Sequence, residues 1–578
     1  MNLIDALERL KEPAPENARP LRVFLACGFT PLHLGTFLTA HLRDHSPSCR
    51  VALNSGLFGD LAGNLERLRP QDHDALAVVI EWSDLDSRLG LRTLGGWQVQ
   101  TLPDIVISVN RGLERLKRAL QGISLVLPTF ICLPTLPLPP LFYTPTQQSG
   151  GFELTLRRSL ASFAEDLSVG RQVSWVSGQY LDVKSPLGKR FDLRTEIAQG
   201  FPYKTLHASA IAELMGELIC RNEPKKGLIT DLDETLWAGI LGEVGVEGIH
   251  WHLEQNAHIH GIYQQFLASL ASAGILVAAA SKNDMSLVER AFKRDDLLLS
   301  KASVFPIEAS WERKSESVRH ILKTWNVLGE SVVFVDDSPM EVAEVKGAFP
   351  EMECLVFPKD DYPAFWDMLS LLRNRFAKTV ISEEDSFRLQ SIRDSDVFRE
   401  PLGKNSLDDF LQQADGRLTF VLGKPVEDRR ACELLNKTNQ FNLNGKRYDE
   451  VAWSKFLKDP QTWLVTVSYE DKFGKLGRIS VITGRLVAER LVVESWVMSC
   501  RAFSRKIEFH CLQYLFDKFG VSEIVFELEM TARNSLMAEF LQPLVGGYVE
   551  EHPKVSMSSF LMNAPKLSCR VEEVSFSG

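Results

Sequence analysis

Residues 227–239 read GLITDLDETLWAG. The apolar run Gly227-Leu228-Ile229-Thr230 leads straight into Asp231-Leu232-Asp233-Glu234-Thr235. This is the pattern of a buried strand that ends in carboxylates. Alternation along an extended chain puts Asp231 and Asp233 on the same side. Two like charges so close are unfavourable unless a cation lies between them or one is protonated. A hard divalent ion bound by oxygens, such as Mg²⁺, meets that need.

Three further pieces follow in order. Residues 275–280 form an apolar strand with Ser281 at its end. Lys314 stands just before a helical stretch. Residues 332–335 form another apolar strand, ending in Asp336-Asp337, and the Ser338-Pro339 step suits a helix start. Between Asp231 and Ser281 the chain must fit a turn, a flap near 241–248 and a helix near 259–273, which leaves no room for a large lid. A site without a lid accepts a bulky or macromolecular substrate. Together the four pieces supply what phosphoryl transfer needs. One carboxylate is a nucleophile and another a general acid and then base. A hydroxyl and a lysine hold the phosphoryl oxygens, and Mg²⁺ bridges carboxylates and phosphate.

The ordered set Asp231-x-Asp233-x-Thr235, Ser281, Lys314 and Asp336-Asp337 resembles the haloacid dehalogenase (HAD) superfamily of phosphohydrolases and phosphotransferases. The resemblance implies that Asp231 is the nucleophile, Asp233 the general acid/base and Thr235 the residue that orders the turn. Thr235, Ser281, Lys282 and Asn283 would lie on the substrate, and Lys314 on its phosphate. Asp336 and Asp337 would serve Mg²⁺, with Asp231 and the backbone carbonyl of Asp233 completing the shell. The stretches LDETLWAGILGEVGVEGI, AAASKNDMSLVE, SWERKSESV, VFVDDSPMEVAEV and LLNKTNQFNLNGKRY (434–448) look like the FkbH-like branch of that superfamily. That likeness covers most of the chain. It implies an SGNH-hydrolase-like domain (1–222), a HAD-like domain (223–375), a helical linker (376–417) and a GNAT-like domain (418–578). It also implies an activity: a glyceryl unit from 1,3-bisphosphoglycerate passes to an enzyme thiol, then to the phosphopantetheine arm of an acyl carrier protein, with loss of phosphate. The product would feed polyketide-type or other secondary-metabolite assembly.

Periodicity alone leads to the same class order. Strands near 21–27, 49–54 and 75–82 alternate with helical patterns, as in a flavodoxin-like doubly wound sheet. In such a sheet Cys27, Thr30, Asp84 and Asp86 fall at strand ends, where sites form, but fold position alone reads them as ordinary turn residues. Strand-like runs at 463–470, 477–484 and 490–498, with helices near 506–519 and 535–540, read as an antiparallel α+β domain. The expected fold class is therefore α/β, multidomain, with a C-terminal α+β part.

Several positions depart from the families. Leu232 follows Asp231 and Ala280 precedes Ser281, so neither offers a thiol beside the phosphate site. Glu234 stands where Asn or Gly is expected. Cys27-Gly28-Phe29-Thr30 replaces a serine nucleophile turn, and Lys204, not Asp, lies three residues before His207. The segment Arg501-Ala502-Phe503-Ser504-Arg505-Lys506 has Ser and Lys where a pyrophosphate-binding loop has glycines, and reads as a solvated basic turn. His250, His252, His258 and His260 form two H-x-H pairs that suit either zinc or a solvated flap. A plain Mg²⁺-dependent phosphatase and a non-catalytic assembly platform therefore stand as alternatives.

The bulk numbers set outer limits. The chain has 578 residues, too many for one core. A net charge of -10 argues against nucleic acid as a main partner. Nine scattered cysteines without a C-x-x-C pair read as reduced thiols of a cytoplasmic protein. The first twenty residues lack the basic-then-apolar order of a secretory leader. The most apolar long run, 125–143, carries five prolines, so no membrane-spanning helix is expected there.

Overall fold

The computed structural model describes residues 1–378, except 14, 16–17, 141–143, 146, 169–172 and 222. It also describes 389 and 392–393, and then 412–575, except 413, 425–428, 439–440, 449, 473, 488–489, 500–501, 503–504, 532–533 and 547–551. Most of the expected linker lies outside the described residues. The chain divides into two compact units, Met1–Asn222 and Glu223–Gly578. No helix among the described residues is long and apolar enough to cross a membrane.

Unit 1 holds a parallel sheet of β1 (Arg19–Cys27), β2 (Cys49–Ser55), β3 (Ala75–Val79), β4 (Thr129–Cys132) and β5 (Val173–Trp175), in the order β2-β1-β3-β4-β5. Alternation along β3 builds both faces. Ala75, Ala77 and Val79 pack with helices Leu32–His45 and Thr205–Ile219. Leu76 and Val78 pack with helices Leu102–Ile123 and Gly151–Ser168.

At the C-terminal edge of this sheet lies a buried polar network. Glu81 accepts hydrogen bonds from Thr135 Oγ1 (2.6 Å), Tyr203 Oη (2.8 Å) and the amides of Thr135 (3.1 Å) and Leu136 (3.3 Å). His207 lies 2.9 Å from both Thr135 Oγ1 and Ser185 Oγ, and burial pushes it down to about 3, so it is neutral near pH 7. Cys27 is buried, and its thiol is pushed up by that burial and then by the nearby Asp84. That is the opposite of an activated nucleophile.

The first half of unit 2 is a second parallel sheet: β6 (Gly227–Thr230), β7 (Leu276–Ser281), β8 (Ile307–Ala309), β9 (Val332–Asp336) and β10 (Glu353–Val356), in the order β10-β9-β6-β7-β8. Its central strands are apolar on both faces because helices cover both sides. Leu228, Val277, Val333 and Val335 point into one layer, and Ile229, Ala278, Val332 and Phe334 into the other. Gly227 is required by a close approach: a Cβ there would lie 2.5 Å from the ring of Trp325.

The second half carries β11 (Arg417–Leu422), β12 (Phe441–Asn442), β13 (Thr462–Asp471), β14 (Gly474–Val487), β15 (Arg490–Met498), β16 (Glu523–Phe526), β17 (Lys554–Ser556) and β18 (Arg570–Ser575). The sheet is mixed, not purely antiparallel as expected. β11–β18 is parallel, and so is β15–β16, where a helix, Ile507–Phe519, returns the chain between the two strands. β15 and β16 pair only over Leu491–Val493 and Ile524–Phe526. Beyond that point the strand ends are bridged by the 434–448 stretch. β12 pairs with β15, and Asn444 Nδ2 donates to the carbonyls of Glu494 (2.7 Å) and Glu527 (3.1 Å). Arg505 is not the solvated basic residue expected: it is 2 % exposed and faces Asp471 at 3.7 Å. Arg501, Phe503 and Ser504 of that segment lie outside the described residues.

The Glu81 network carries a direct test. Glu81→Ala strips the acceptor from four buried donors and should lower stability by about 3 kcal/mol. Urea unfolding of the full chain, with hydrogen exchange at the β3 and β4 amides to isolate unit 1, checks it.

Candidate active site

The ends of β6 and β9 lie side by side, which brings Asp231 next to Asp336 across 105 residues of sequence. Lys314, the first residue of helix Lys314–Trp325, reaches both. Its ammonium donates to Asp231 Oδ1 at 2.7 Å and sits 2.8 Å from Asp336 Oδ2. The three residues are 5 %, 1 % and 4 % exposed for Asp231, Asp336 and Lys314. Burial pushes both carboxyls up, and Lys314 works against that shift. Burial also opposes the charge on Lys314, but the two aspartates outweigh it and hold the lysine above its ordinary range.

Asp337 completes a carboxylate group. One oxygen from each of Asp231, Asp336 and Asp337 lies within 4.8 Å of the others. Hard oxygen donors of this kind suit Mg²⁺ or Ca²⁺ over softer metals. Among the described residues no other group of three such ligands comes together, which leaves the flap histidines out. His260 is not a solvated flap residue at all. It is buried, stacks on Phe357 at 5.3 Å, and its Nδ1 lies 2.9 Å from the Thr235 carbonyl oxygen. His252 faces Asp296 at 3.2 Å, and His250 Nδ1 lies 3.0 Å from the Gly248 carbonyl.

The turn after β6 is shaped by side chains. Glu234 adopts φ 55°, in the left-handed region where a non-glycine residue is uncommon. Its Oε1 accepts the Gly239 amide at 2.7 Å, and its Oε2 lies 3.0 Å from Lys359 Nζ. Lys359 also reaches Asp337 Oδ2 at 3.1 Å. The turn is thus tied by charge to the metal-type carboxylates. Thr235 Oγ1 accepts the Asp337 amide at 3.0 Å, joining the first and last pieces of the motif set.

Ser281 ends β7, where Asn283 Nδ2 donates to its Oγ at 2.9 Å. Asn283 also donates to Asp233 Oδ2 at 2.9 Å. Lys282 points instead to Glu341 at 2.7 Å, on the helix that follows Asp337. The side chain of Asp233 is not in the three-carboxylate group. It turns toward the flap, where its Oδ1 accepts Trp237 Nε1 at 2.9 Å and the Leu241 amide at 3.2 Å. Sequence reasoning missed Trp237 and Lys359. Trp237 falls four residues after Asp233, a spacing that is visible once the turn is known. Lys359 has no local signal, because its contacts are made only across the fold.

No protein-family model matches the chain, and no curated protein does. Among solved structures the chain is similar to the N-terminal part of the protein BF1531 from Bacteroides fragilis, which contains a phosphatase domain and was crystallised in complex with Mg. The two are 19 % identical, the TM-score is 0.50, and the match covers 66 % of this chain and 100 % of that one. The likeness establishes a shared fold.

The central ion pairs give the site its test. Lys314→Ala leaves two buried carboxylates without their cation and should cost about 3 kcal/mol of stability. Millimolar Mg²⁺ should recover part of the loss, read as a Mg²⁺-dependent rise in melting temperature larger than that of the unaltered protein.

Proposed function

We propose that the chain is a Mg²⁺-dependent phosphoryl-transfer enzyme that works through a covalent aspartyl-phosphate at Asp231. The observation that carries this reading is the buried Asp231–Lys314–Asp336 arrangement, with Asp337 beside it, at the C-terminal edge of a parallel sheet. Asp231, Asp336 and Asp337 would hold Mg²⁺, which would supply positive charge at the phosphoryl oxygens. The carboxylate of Asp231 attacks phosphorus, the bond to the leaving oxygen breaks, and Asp233 donates a proton to that oxygen. Water then attacks the aspartyl-phosphate, and Asp233 takes its proton as the P–O bond to Asp231 breaks. Lys314 and Ser281 hold phosphoryl oxygens, and Lys314 offsets the charge that builds up on them.

Within this reading Asp231 takes a phosphoester phosphate; where the substrate also carries an acyl phosphate, a thiol attacks the carbonyl carbon, the C–O bond breaks and phosphate leaves with its electron pair. The resemblance to FkbH-like proteins supports 1,3-bisphosphoglycerate as donor and the phosphopantetheine thiol of an acyl carrier protein as acceptor of the glyceryl group. The short flap between Trp237 and His250, without a large lid, suits an acceptor of that size. Hydrolysis of a small phosphoester is the second reading, favoured by the state of the thiols. Burial pushes Cys27, Cys132, Cys220, Cys354, Cys511 and Cys569 up, Cys354 to about 11, so none of these is poised as an acyl-accepting thiolate.

Incubation with Mg²⁺, 1,3-bisphosphoglycerate and a carrier protein, followed by intact mass measurement, separates the readings. A glyceryl adduct on the carrier supports transfer, and phosphate release without an adduct supports hydrolysis. Asp231→Asn should lower phosphate release about a thousandfold or more, and EDTA should abolish it reversibly. Unchanged release in either case contradicts the reading.

A further inference from the structure

Asp233 is held by more donors than any other carboxylate described at the site. Trp237 Nε1 and the Leu241 amide both donate to its Oδ1, at 2.9 and 3.2 Å. Asn283 Nδ2 donates to its Oδ2 at 2.9 Å. Trp237 is fully buried and Asn283 is 3 % exposed, so both side chains are fixed by packing. Trp237 sits edge-on to Phe292 within the apolar core. Asn283 is pinned further by Ser281 Oγ at 2.9 Å.

A carboxylate oxygen has two lone-pair directions in its plane. Two donors occupy those of Oδ1, whereas one donor leaves Oδ2 with a free direction. We infer that Trp237 and Asn283 are positioning residues that select Oδ2 of Asp233 as the atom that gives and takes the proton. This rests on the phosphoryl-transfer reading and adds to it the atom and the residues that orient it. In the first step the bond from phosphorus to the leaving oxygen breaks, its electron pair stays on that oxygen, and the proton on Asp233 Oδ2 moves to it. In the second step Oδ2 takes a proton from the attacking water as the bond from phosphorus to Asp231 breaks.

The donors also connect the proton-transfer group to the flap. Leu241 opens the flap's helical turn, Leu241–Val244, and Trp237 begins the flap's stem. That stem is closed by paired hydrogen bonds between Ala238 and His250, at 2.8 and 3.1 Å. Asn283 reaches the same carboxylate from the loop just after the strand that ends in Ser281. The acid/base group is therefore aligned by the flap on one oxygen and by the loop after the Ser281 strand on the other.

The test uses two esters that differ in their need for a proton. p-Nitrophenyl phosphate has a weakly basic leaving group, whereas glycerol 3-phosphate releases a strongly basic alkoxide. The value of kcat/KM reports the first chemical step. Trp237→Phe, which keeps the ring and removes the N–H, should lower kcat/KM for glycerol 3-phosphate by about tenfold or more. For p-nitrophenyl phosphate the change should stay within about threefold. Asn283→Ala, which also frees Ser281 Oγ, should slow both esters but slow glycerol 3-phosphate by a larger factor, which guards against poor folding of the tryptophan variant. Asp233→Asn combined with Trp237→Phe should be no slower than Asp233→Asn alone, because both act through one proton transfer. Equal losses on both esters, or additive losses in the double variant, overturn the inference. Wild-type protein inactive on both esters overturns the phosphoryl-transfer reading itself, and the inference with it.

Discussion

One ammonium group organises the first half of unit 2. Lys314 lies between Asp231 and Asp336, with all three nearly inaccessible to water. Two carboxylates in such a place repel each other strongly without a cation between them. A lysine at a helix N-terminus is itself unfavourable, since the helix presents partial positive charge there. Each defect offsets the other. The arrangement demands that β6 and β9 be neighbours, that their C-terminal ends align, and that helix Lys314–Trp325 start level with them. The register Thr230↔Val335 meets the second condition. The strand order β9-β6-β7 also brings Ser281 alongside.

The turn after β6 extends this charge pattern outward. Glu234, Lys359 and Asp337 form a second alternating set, less buried than the first. Glu234 spends one oxygen on the Gly239 amide and the other on Lys359, which holds the turn in a conformation that a non-glycine residue resists. The departure from the expected Asn or Gly at 234 thus has a physical counterpart in Lys359. The flap is therefore joined to the carboxylates through Glu234 and through Asp233.

The flanking sheets show polar groups used for order. In unit 1, Glu81, Thr135, Tyr203, Ser185 and His207 satisfy one another in the interior. Such networks favour one arrangement of loops because each lost partner leaves a buried group unpaired. In the C-terminal sheet, Asn444 closes the gap where β15 and β16 part, and Asn534 Nδ2 donates to the carbonyls of Asn442 and Glu529, both at 2.9 Å. The 434–448 stretch, noticed first as a sequence likeness, forms part of that sheet.

The amino-acid sequence by itself determined the parallel sheets and the carboxylate-bearing strand ends. Apolar runs such as Leu228-Ile229 and Val332-Val333-Phe334-Val335 have few alternatives to burial on both faces, and the polar residue that follows each run must mark its end. Most of the candidate site residues were legible for the same reason, since Asp231, Ser281 and Asp336 each stand at a transition from apolar to polar; Lys314 was legible only by its place in the ordered motif set. Shorter strands such as β8, β12 and β17 were not, because two or three residues carry no period. The parallel pairing of β15 with β16 was hidden too, since either direction of pairing places the same residues inside. Only the tertiary structure decided the roles of Trp237 and Lys359, the burial of His260 and Arg505, and the turning of Asp233 toward the flap. Each depends on which side chain arrives from a distant segment, and hydrogen bonds and ion pairs form between atoms that sequence order does not place together.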